Sequence, residues 1–105
     1  GLGDVYKRQV PKALERLRRD VGVAESAIGR CVKVPLSQSE FNAFTSFAFN
    51  VGTEAFCSST LVKKLNAGDY AGACQELRRW VYVDGRRVQG LVNRREAEYR
   101  LCMGE

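Results

Sequence analysis

Residues 37–52, with the sequence SQSEFNAFTSFAFNVG, restrict the fold more than any other part of this chain. Ser37 and Glu40 stand three positions apart, which is the spacing of a capping box at the start of a helix. Gly52 is a residue of the type that ends a helix. The apolar residues between these ends occupy more than one helical face, and they are Phe41, Phe44, Phe47, Ala48, Phe49 and Val51. Such a helix is normally buried at the centre of a bundle.

The rest of the chain predicts further helices around that central one. Before it, one apolar stripe recurs at steps of three and four residues, formed by Leu14, Leu17, Val21, Ala24 and Ile28. After it, we expect a helix from about residue 58 to 66, another capped by Asp69, and a last one over about 91–102. Asp84 and Gly85 are flanked by β-formers, which predicts a short hairpin-like loop near residues 82–88. The fold class is therefore all-α, with about five helices.

Size and charge narrow the possible functions only slightly. The chain has 105 residues, enough for one domain with a modest core. A net charge of +5 without any histidine suits a polyanionic partner such as nucleic acid, an anionic membrane or a bacterial cell wall. No apolar run approaches the roughly 18 residues that a transmembrane helix needs. We expect a monomer without an integral membrane segment.

The four cysteines are Cys31, Cys57, Cys74 and Cys102, and none of them forms a closely spaced pair. Structural zinc sites usually draw their ligands from such pairs, so no metal site is predicted. Two disulfides are possible in an oxidising compartment, but the spacing does not show connectivity. We favour buried thiols that pack as small hydrophobic side chains. No cofactor is predicted either.

Residues 1–9, GLGDVYKRQ, show no helical or strand period and match nothing that follows. They are similar to the translated adapter sequence found at truncated ends of assembled metagenomic reading frames. We expect a non-native scar there and exclude it from the fold.

Four sequence blocks resemble the phage-type lysozymes, the muramidases of glycoside hydrolase family 24. In chain order they are VPLSQSEFNA, FNVGTEAF, STLVKKLNAGDYAGA and GLVNRREAE, and the likeness extends over about residues 10–102. The resemblance implies that residues 10–105 form the C-terminal helical lobe of a lysozyme-like domain, with 10–30 as the connector helix between lobes. That lobe would form one wall of a peptidoglycan cleft.

The resemblance also implies a catalytic pattern, which is a Glu, then an Asp or Cys after eight residues, then a Thr after five more. Five glutamates lack an Asp or Cys nine positions later: Glu15, Glu25, Glu40, Glu54 and Glu76. A glycosidic proton donor must be a carboxylic acid held protonated near neutral pH in a sheltered pocket. Glu96 and Glu98 have arginines at helical spacing, which favours their ionised forms and disqualifies them. We therefore expect the chain to begin after the catalytic element and to be inactive alone.

The candidate substrate-binding residues follow from the same resemblance. In the FNVG corner, Asn50 would hydrogen-bond a sugar acetamido or hydroxyl group beside Phe49 and Gly52; the alternative is that Asn50 caps its own helix. Trp80 and Tyr82 are candidates by residue type alone, because an aromatic face suits the apolar face of a pyranose; the alternative is that they are packing residues. Arg94 or Arg95 would pair with the missing catalytic Glu in a complete enzyme, the alternative being a solvated basic helix end.

Three function classes remain. The first is a lobe of a phage or prophage endolysin, made in the bacterial cytoplasm and acting at the cell wall on its periplasmic or extracellular side. Such an enzyme hydrolyses the β-1,4 bond between N-acetylmuramic acid and N-acetylglucosamine in peptidoglycan, its glycan partner. The second is a non-catalytic wall-binding or structural module, and the third is a small basic nucleic-acid binder. The third is disfavoured because the best candidate recognition helix is aromatic and apolar.

Overall fold

The structure, a computed structural model, describes residues 12–104, with side-chain environments from residue 22 onward. The proposed scar at residues 1–9 lies outside the described residues, and the side chains of Leu14, Leu17 and Val21 lie outside the described side-chain environments. The described α-helices are α1 (Lys12–Cys31), α2 (Gln38–Val51), α3 (Thr53–Cys57), α4 (Thr60–Asn66), α5 (Tyr70–Glu76) and α6 (Gln89–Cys102). A 3₁₀ turn (Leu77–Arg79) and two short strands, β1 (Tyr82–Val83) and β2 (Arg86–Arg87), separate α5 from α6.

The all-α prediction is confirmed, and the differences lie in short or terminal segments. The sequence predicted about five helices and none between Gly52 and about residue 58, whereas residues Thr53–Cys57 form the extra five-residue helix α3. The last helix begins at Gln89, two residues before the predicted start at Leu91. The extra helix α3 reflects tertiary packing, since its Phe56 is completely buried in the core.

Helix α2 lies at the centre of the bundle, as its apolar faces predicted, and packs most extensively against α6 and α1. Phe44 and Phe47 are fully buried in one hydrophobic cluster that spans α1 to α6. The ring of Phe47 meets Phe56 and Trp80 edge to face, with centroids 6.1 and 5.2 Å apart. The rest of the molecule is therefore organised around one aromatic helix.

Local polar side chains fix where the helices begin. The Ser37 hydroxyl accepts from the Glu40 amide at 3.1 Å, and the Ser37 amide donates to the Glu40 carboxylate at 2.7 Å. The predicted capping box is therefore present. Asp69 likewise accepts from the amide of Gly72 at 3.0 Å and caps α5, as predicted.

The hairpin predicted from Asp84 and Gly85 is present between α5 and α6. Both turn residues have positive φ, 50° and 78°, which is the geometry that favours Asp-Gly in a two-residue hairpin. In the antiparallel pair, Tyr82 stands opposite Arg87 and Val83 opposite Arg86. Since cross-strand partners share a face, Tyr82 and Arg87 lie on one side of the hairpin and the other pair on the opposite side.

All four cysteines are paired, so the buried-thiol interpretation is wrong. Cys31 is bonded to Cys57, with their Cα atoms 5.6 Å apart, and Cys74 to Cys102, with theirs 5.8 Å apart. The first bond joins the end of α1 to the end of α3, and the second joins α5 to the end of α6. Each pair is 26 or 28 residues apart in sequence, and only the helix packing brings its members together.

Within residues 12–104, no helix has both the length and the apolar character needed to cross a bilayer.

Candidate functional site

Asn50 lies in the last turn of α2 with its side chain exposed, and it does not cap its own helix. The C-cap is Gly52, whose amide donates to the Ala48 carbonyl, so the local-cap interpretation of Asn50 is wrong. The Asn50 side-chain oxygen instead accepts a hydrogen bond of 2.8 Å from Nη2 of Arg95. One half of the amide is therefore engaged by α6, while its NH₂ group remains a donor.

Arg95 and Glu98 form a buried ion pair beneath Asn50. Arg95 is fully buried and Glu98 is 4% exposed, and Arg95 Nε lies 3.0 Å from Glu98 Oε1. The Ser46 hydroxyl donates to Glu98 Oε2 at 2.6 Å, and the Arg95 guanidinium lies 5.0 Å from the centroid of the Phe47 ring. Among the described residues, Nη1 of Arg95 has no hydrogen-bond partner. This pair ties α6 to the polar side of α2.

Burial raises the pKa of the Glu98 carboxyl, and the hydrogen bond from Ser46 and the charges of Arg95 and Arg94 only oppose that rise. The expectation that neighbouring arginines would favour its ionised form is wrong for Glu98, because desolvation outweighs the attraction. For Glu96 the expected direction is correct: its hydrogen bond with Arg78 lowers its pKa. Glu98 remains unsuited to protonate a substrate, since it is enclosed rather than open to a cavity.

An open trough lies beside this buried pair, between α1, α2 and α6. It has a volume of about 360 Å³ and is lined by Glu25, Phe41, Asn42, Thr45, Ser46, Phe49 and Arg94. Phe49 also lines a neighbouring depression, together with Val23, Ala24, Ala48, Gly52 and Thr53. The FNVG corner is thus open to solvent on the side that faces α1.

The structure brings three of the seven predicted site residues to these two cavities: Phe49 and Arg94 line the trough, and Gly52 lines the neighbouring depression. Asn50 follows Phe49 on α2 and is exposed, but it lines neither cavity. Arg95 lies buried behind Asn50 and supports it.

The two predicted aromatic residues lie elsewhere. Trp80 is half-buried and packs edge-on against Phe47, as the packing alternative anticipated. Tyr82 is 60% exposed and lines a separate cavity at the root of the hairpin. The structure therefore does not place either ring in the trough.

Sequence reasoning missed the polar side of the trough. Thr45 and Ser46 lie three and four positions after Asn42, so the three polar side chains share one face of α2 between its buried phenylalanines. That polar face was a usable signal, because polar residues on a buried helix usually face a partner or a cavity. Glu25, on the exposed side of α1, carried no comparable signal.

Among the described residues, no group of three or more histidine, cysteine, aspartate or glutamate side chains is placed to hold a metal ion.

Comparison with known proteins now decides the family. A family model described as phage lysozyme matches residues 3–98. The chain belongs to the phage lysozyme family. This confirms the resemblance carried by the four sequence blocks.

Two curated members of this lysozyme family illustrate the likeness. The SAR-endolysin of Escherichia phage Mu is 50% identical over 82 residues, which are 78% of this chain and 48% of that protein. The endolysin of Acyrthosiphon pisum secondary endosymbiont phage 1 is 41% identical over 104 residues, 95% of this chain and 70% of that protein. The chain thus spans about half the length of the phage Mu protein.

Among solved lysozyme structures, the muramidase domain of SpmX from Asticaccaulis excentricus matches with a TM-score of 0.77 and 33% sequence identity. The match covers 83% of this chain and 62% of that one.

Proposed function

We propose that this chain supplies the helical wall of a glycan-binding groove in an endolysin-type glycoside hydrolase. The reaction of the whole protein would be hydrolysis of the β-1,4 bond between N-acetylmuramic acid and N-acetylglucosamine in peptidoglycan. The proposal is supported by family membership and by relatives that are named endolysin, SAR-endolysin and muramidase. The observation that carries it is the open trough lined by Phe49 of the FNVG corner, next in sequence to an Asn50 amide that Arg95 holds in place.

Asn50 is the proposed sugar-binding group. Its oxygen is occupied by Arg95 at 2.8 Å, which fixes the orientation of the amide and leaves the NH₂ group to donate. An N-acetyl carbonyl of the glycan is the matching acceptor. The half-buried ring of Phe49 would offer an apolar surface to the adjacent sugar.

Arg94, rather than Arg95, is the proposed partner of a catalytic carboxylate. The Arg94 side chain is 42% exposed and lines the trough, whereas that of Arg95 is 1% exposed and faces Glu98. Arg94 Nε lies 3.6 Å from Glu98 Oε2, too far for a strong hydrogen bond, so its other donors remain available. Arg95 would act as a positioning residue for Asn50.

The proton donor itself is proposed to lie outside this sequence. A glycosidic acid needs a sheltered carboxyl group beside the scissile oxygen. Glu25 reaches the trough but is exposed, and Glu98 is enclosed by Ser46, Arg94 and Arg95. We therefore expect this chain to bind glycan strands without cleaving them. Its site of action would be the bacterial cell wall.

The substitution Asn50→Asp tests the binding role without disturbing the fold. An aspartate retains an oxygen for Arg95 but removes the NH₂ donor, so stability should be kept while affinity for purified peptidoglycan falls roughly tenfold. Asn93→Asp makes the same charge change at an exposed site on α6 and should leave affinity unchanged. Sedimentation with peptidoglycan measures binding, and circular dichroism confirms folding.

Equal binding by the two variants would contradict the role of Asn50. A release of reducing sugar from peptidoglycan by the chain alone would contradict the assignment of the proton donor to a segment outside this sequence.

A further inference from the structure

A second cavity lies at the root of the hairpin, and we call it the hairpin pocket. It has a volume of about 370 Å³ and is lined by Arg78, Arg79, Val81, Tyr82, Arg87, Val92, Arg95 and Glu96. None of these residues lines the trough. The hairpin pocket is therefore a separate feature that the proposed glycan groove does not explain.

The hairpin pocket concentrates the positive charge of the chain. Four arginines and one glutamate line it. Residues 77–100 contain seven arginines against one aspartate and two glutamates, a net +4 out of +5 for the whole chain. The four arginines come from the 3₁₀ turn, β2 and α6, and the fold gathers them around one cavity.

Two of these arginines are fixed. Arg78 donates to both carboxylate oxygens of Glu96 at 3.0 and 2.8 Å, and its guanidinium lies 3.6 Å from the centroid of the Tyr99 ring. Arg95 is buried and held by Asn50 and Glu98. These two guanidinium groups are already held in position, so little side-chain entropy is lost when an anion binds to them.

The other two arginines stand at the rim. The Arg79 side chain is 76% exposed and lies 3.7 Å from Glu76, whose other oxygen already takes a 2.7 Å hydrogen bond from Lys64. Arg87 is exposed on β2 and makes no ion pair with another described residue. The rim thus presents guanidinium donors that are weakly engaged or unengaged within the described part of the chain.

The geometry points to a phosphate-binding site in the hairpin pocket. A tetrahedral phosphate offers acceptors in several directions, which suits guanidinium forks on more than one side. Val81, Val92 and Tyr82 give the pocket an apolar wall for the organic part of a phosphodiester. Binding is reversible and involves no covalent step. The hairpin pocket and the trough share no lining residue, although Arg95, which lines the hairpin pocket, also holds the Asn50 amide.

The hairpin itself provides the test. Arg87 and Arg86 are neighbours, both exposed and both in β2, but only Arg87 lines the hairpin pocket. Isothermal titration with inorganic phosphate, against sodium chloride of equal ionic strength, should show binding to the full chain. Arg87→Gln should weaken it roughly tenfold, the expected loss of charge-assisted hydrogen bonds, while Arg86→Gln leaves it unchanged. Melting curves of both variants confirm folding.

Competition distinguishes the source of the phosphate. Polyglycerol phosphate that competes through the Arg87-dependent site would indicate a wall polymer, and phosphatidylglycerol vesicles that do so would indicate a lipid headgroup. Either result supports the site. Three results would overturn it: no phosphate binding at constant ionic strength, equal losses in the two variants, or acetate binding as tightly as phosphate.

Discussion

Arg95 connects polar side chains of α2 and α6, although its own side chain is only 1% exposed. It donates to Asn50, faces Glu98 and lies over Phe47. A buried guanidinium is costly unless it is paired and hydrogen-bonded, so each of these contacts also constrains where α6 packs on α2. Because Arg95 donates to the Asn50 side-chain oxygen, the buried guanidinium also fixes the orientation of the exposed amide.

The titration of Glu98 gives the first prediction. Its pKa is raised in the folded chain, so the folded state holds the proton more tightly than the unfolded state does. That stability is present below the unfolded pKa of about 4.3 and is lost as pH rises through the higher folded pKa. The difference in unfolding free energy between the natural chain and Glu98→Gln should therefore fall as pH rises, measured by urea unfolding.

Glu96→Gln is the control with the opposite sign. The pKa of Glu96 is lowered by its hydrogen bond with Arg78, so its contribution is present above the unfolded pKa and disappears as pH falls. The two glutamates lie two positions apart on α6, which keeps the local helix content equal. A Glu98 difference that grows with pH would show that attraction to the arginines exceeds the desolvation.

Residue identities were predictable where a local motif carried them. Asn50 was singled out because it lies in the FNVG corner, and the structure shows its side chain exposed, while its role in sugar binding stays a prediction. The direction of the Glu98 pKa shift was not predictable from the sequence. Helical spacing shows which charges are near, but it does not show how far the fold removes the carboxyl group from water. The contact between Asn50 and Arg95 spans 45 residues, a separation that no local pattern encodes.

At the level of elements, the helix caps and the hairpin turn were predicted correctly, whereas the short helix α3 was not predicted. The capping box at Ser37, the Asp69 cap and the Asp84-Gly85 turn each depend on residues within three positions, so the sequence alone specifies them. Helix α3 has only five residues, too few to show a period, and its place is set by the burial of Phe56.

Two glycines should respond in opposite ways to a methyl group. Gly22 is exposed within α1, and a Cβ built there has no described neighbour within 4 Å, so Gly22→Ala should stabilise the fold by about 1 kcal/mol. Gly85 also has open space, but its φ of 78° is unfavourable for other residues, so Gly85→Ala should destabilise by about 1 kcal/mol. Chemical unfolding of both variants measures the pair, and a shift of the same sign in both would contradict this account.

At the level of the whole molecule, the sequence predicted one domain with a modest core and favoured buried free thiols. The two disulfides change that expectation, because each closes a loop between helices that are distant in sequence. Their pairing could not be derived beforehand, since four cysteines allow three pairings and only the packed bundle selects one. The Cys31–Cys57 bond joins the ends of α1 and α3, whereas the Cys74–Cys102 bond lies in the hydrophobic core between α5 and the end of α6. The two bonds limit the separation of α1 from α3 and of α5 from α6.

Reduction of these bonds gives the last prediction. In the chain-entropy account, a bond that closes a loop of this length stabilises a fold by roughly 3 kcal/mol, which is a large part of the stability of a small domain. Dithiothreitol should therefore lower the melting temperature by at least about 10 °C, followed by circular dichroism. In a variant with Cys31→Ala and Cys57→Ala, dithiothreitol should lower the melting temperature by about half as much, because one disulfide remains to be reduced. The same is expected of a variant with Cys74→Ala and Cys102→Ala. With all four replaced, the reductant should have no effect. A natural chain that melts at the same temperature with and without reductant would show that helix packing alone holds the bundle together.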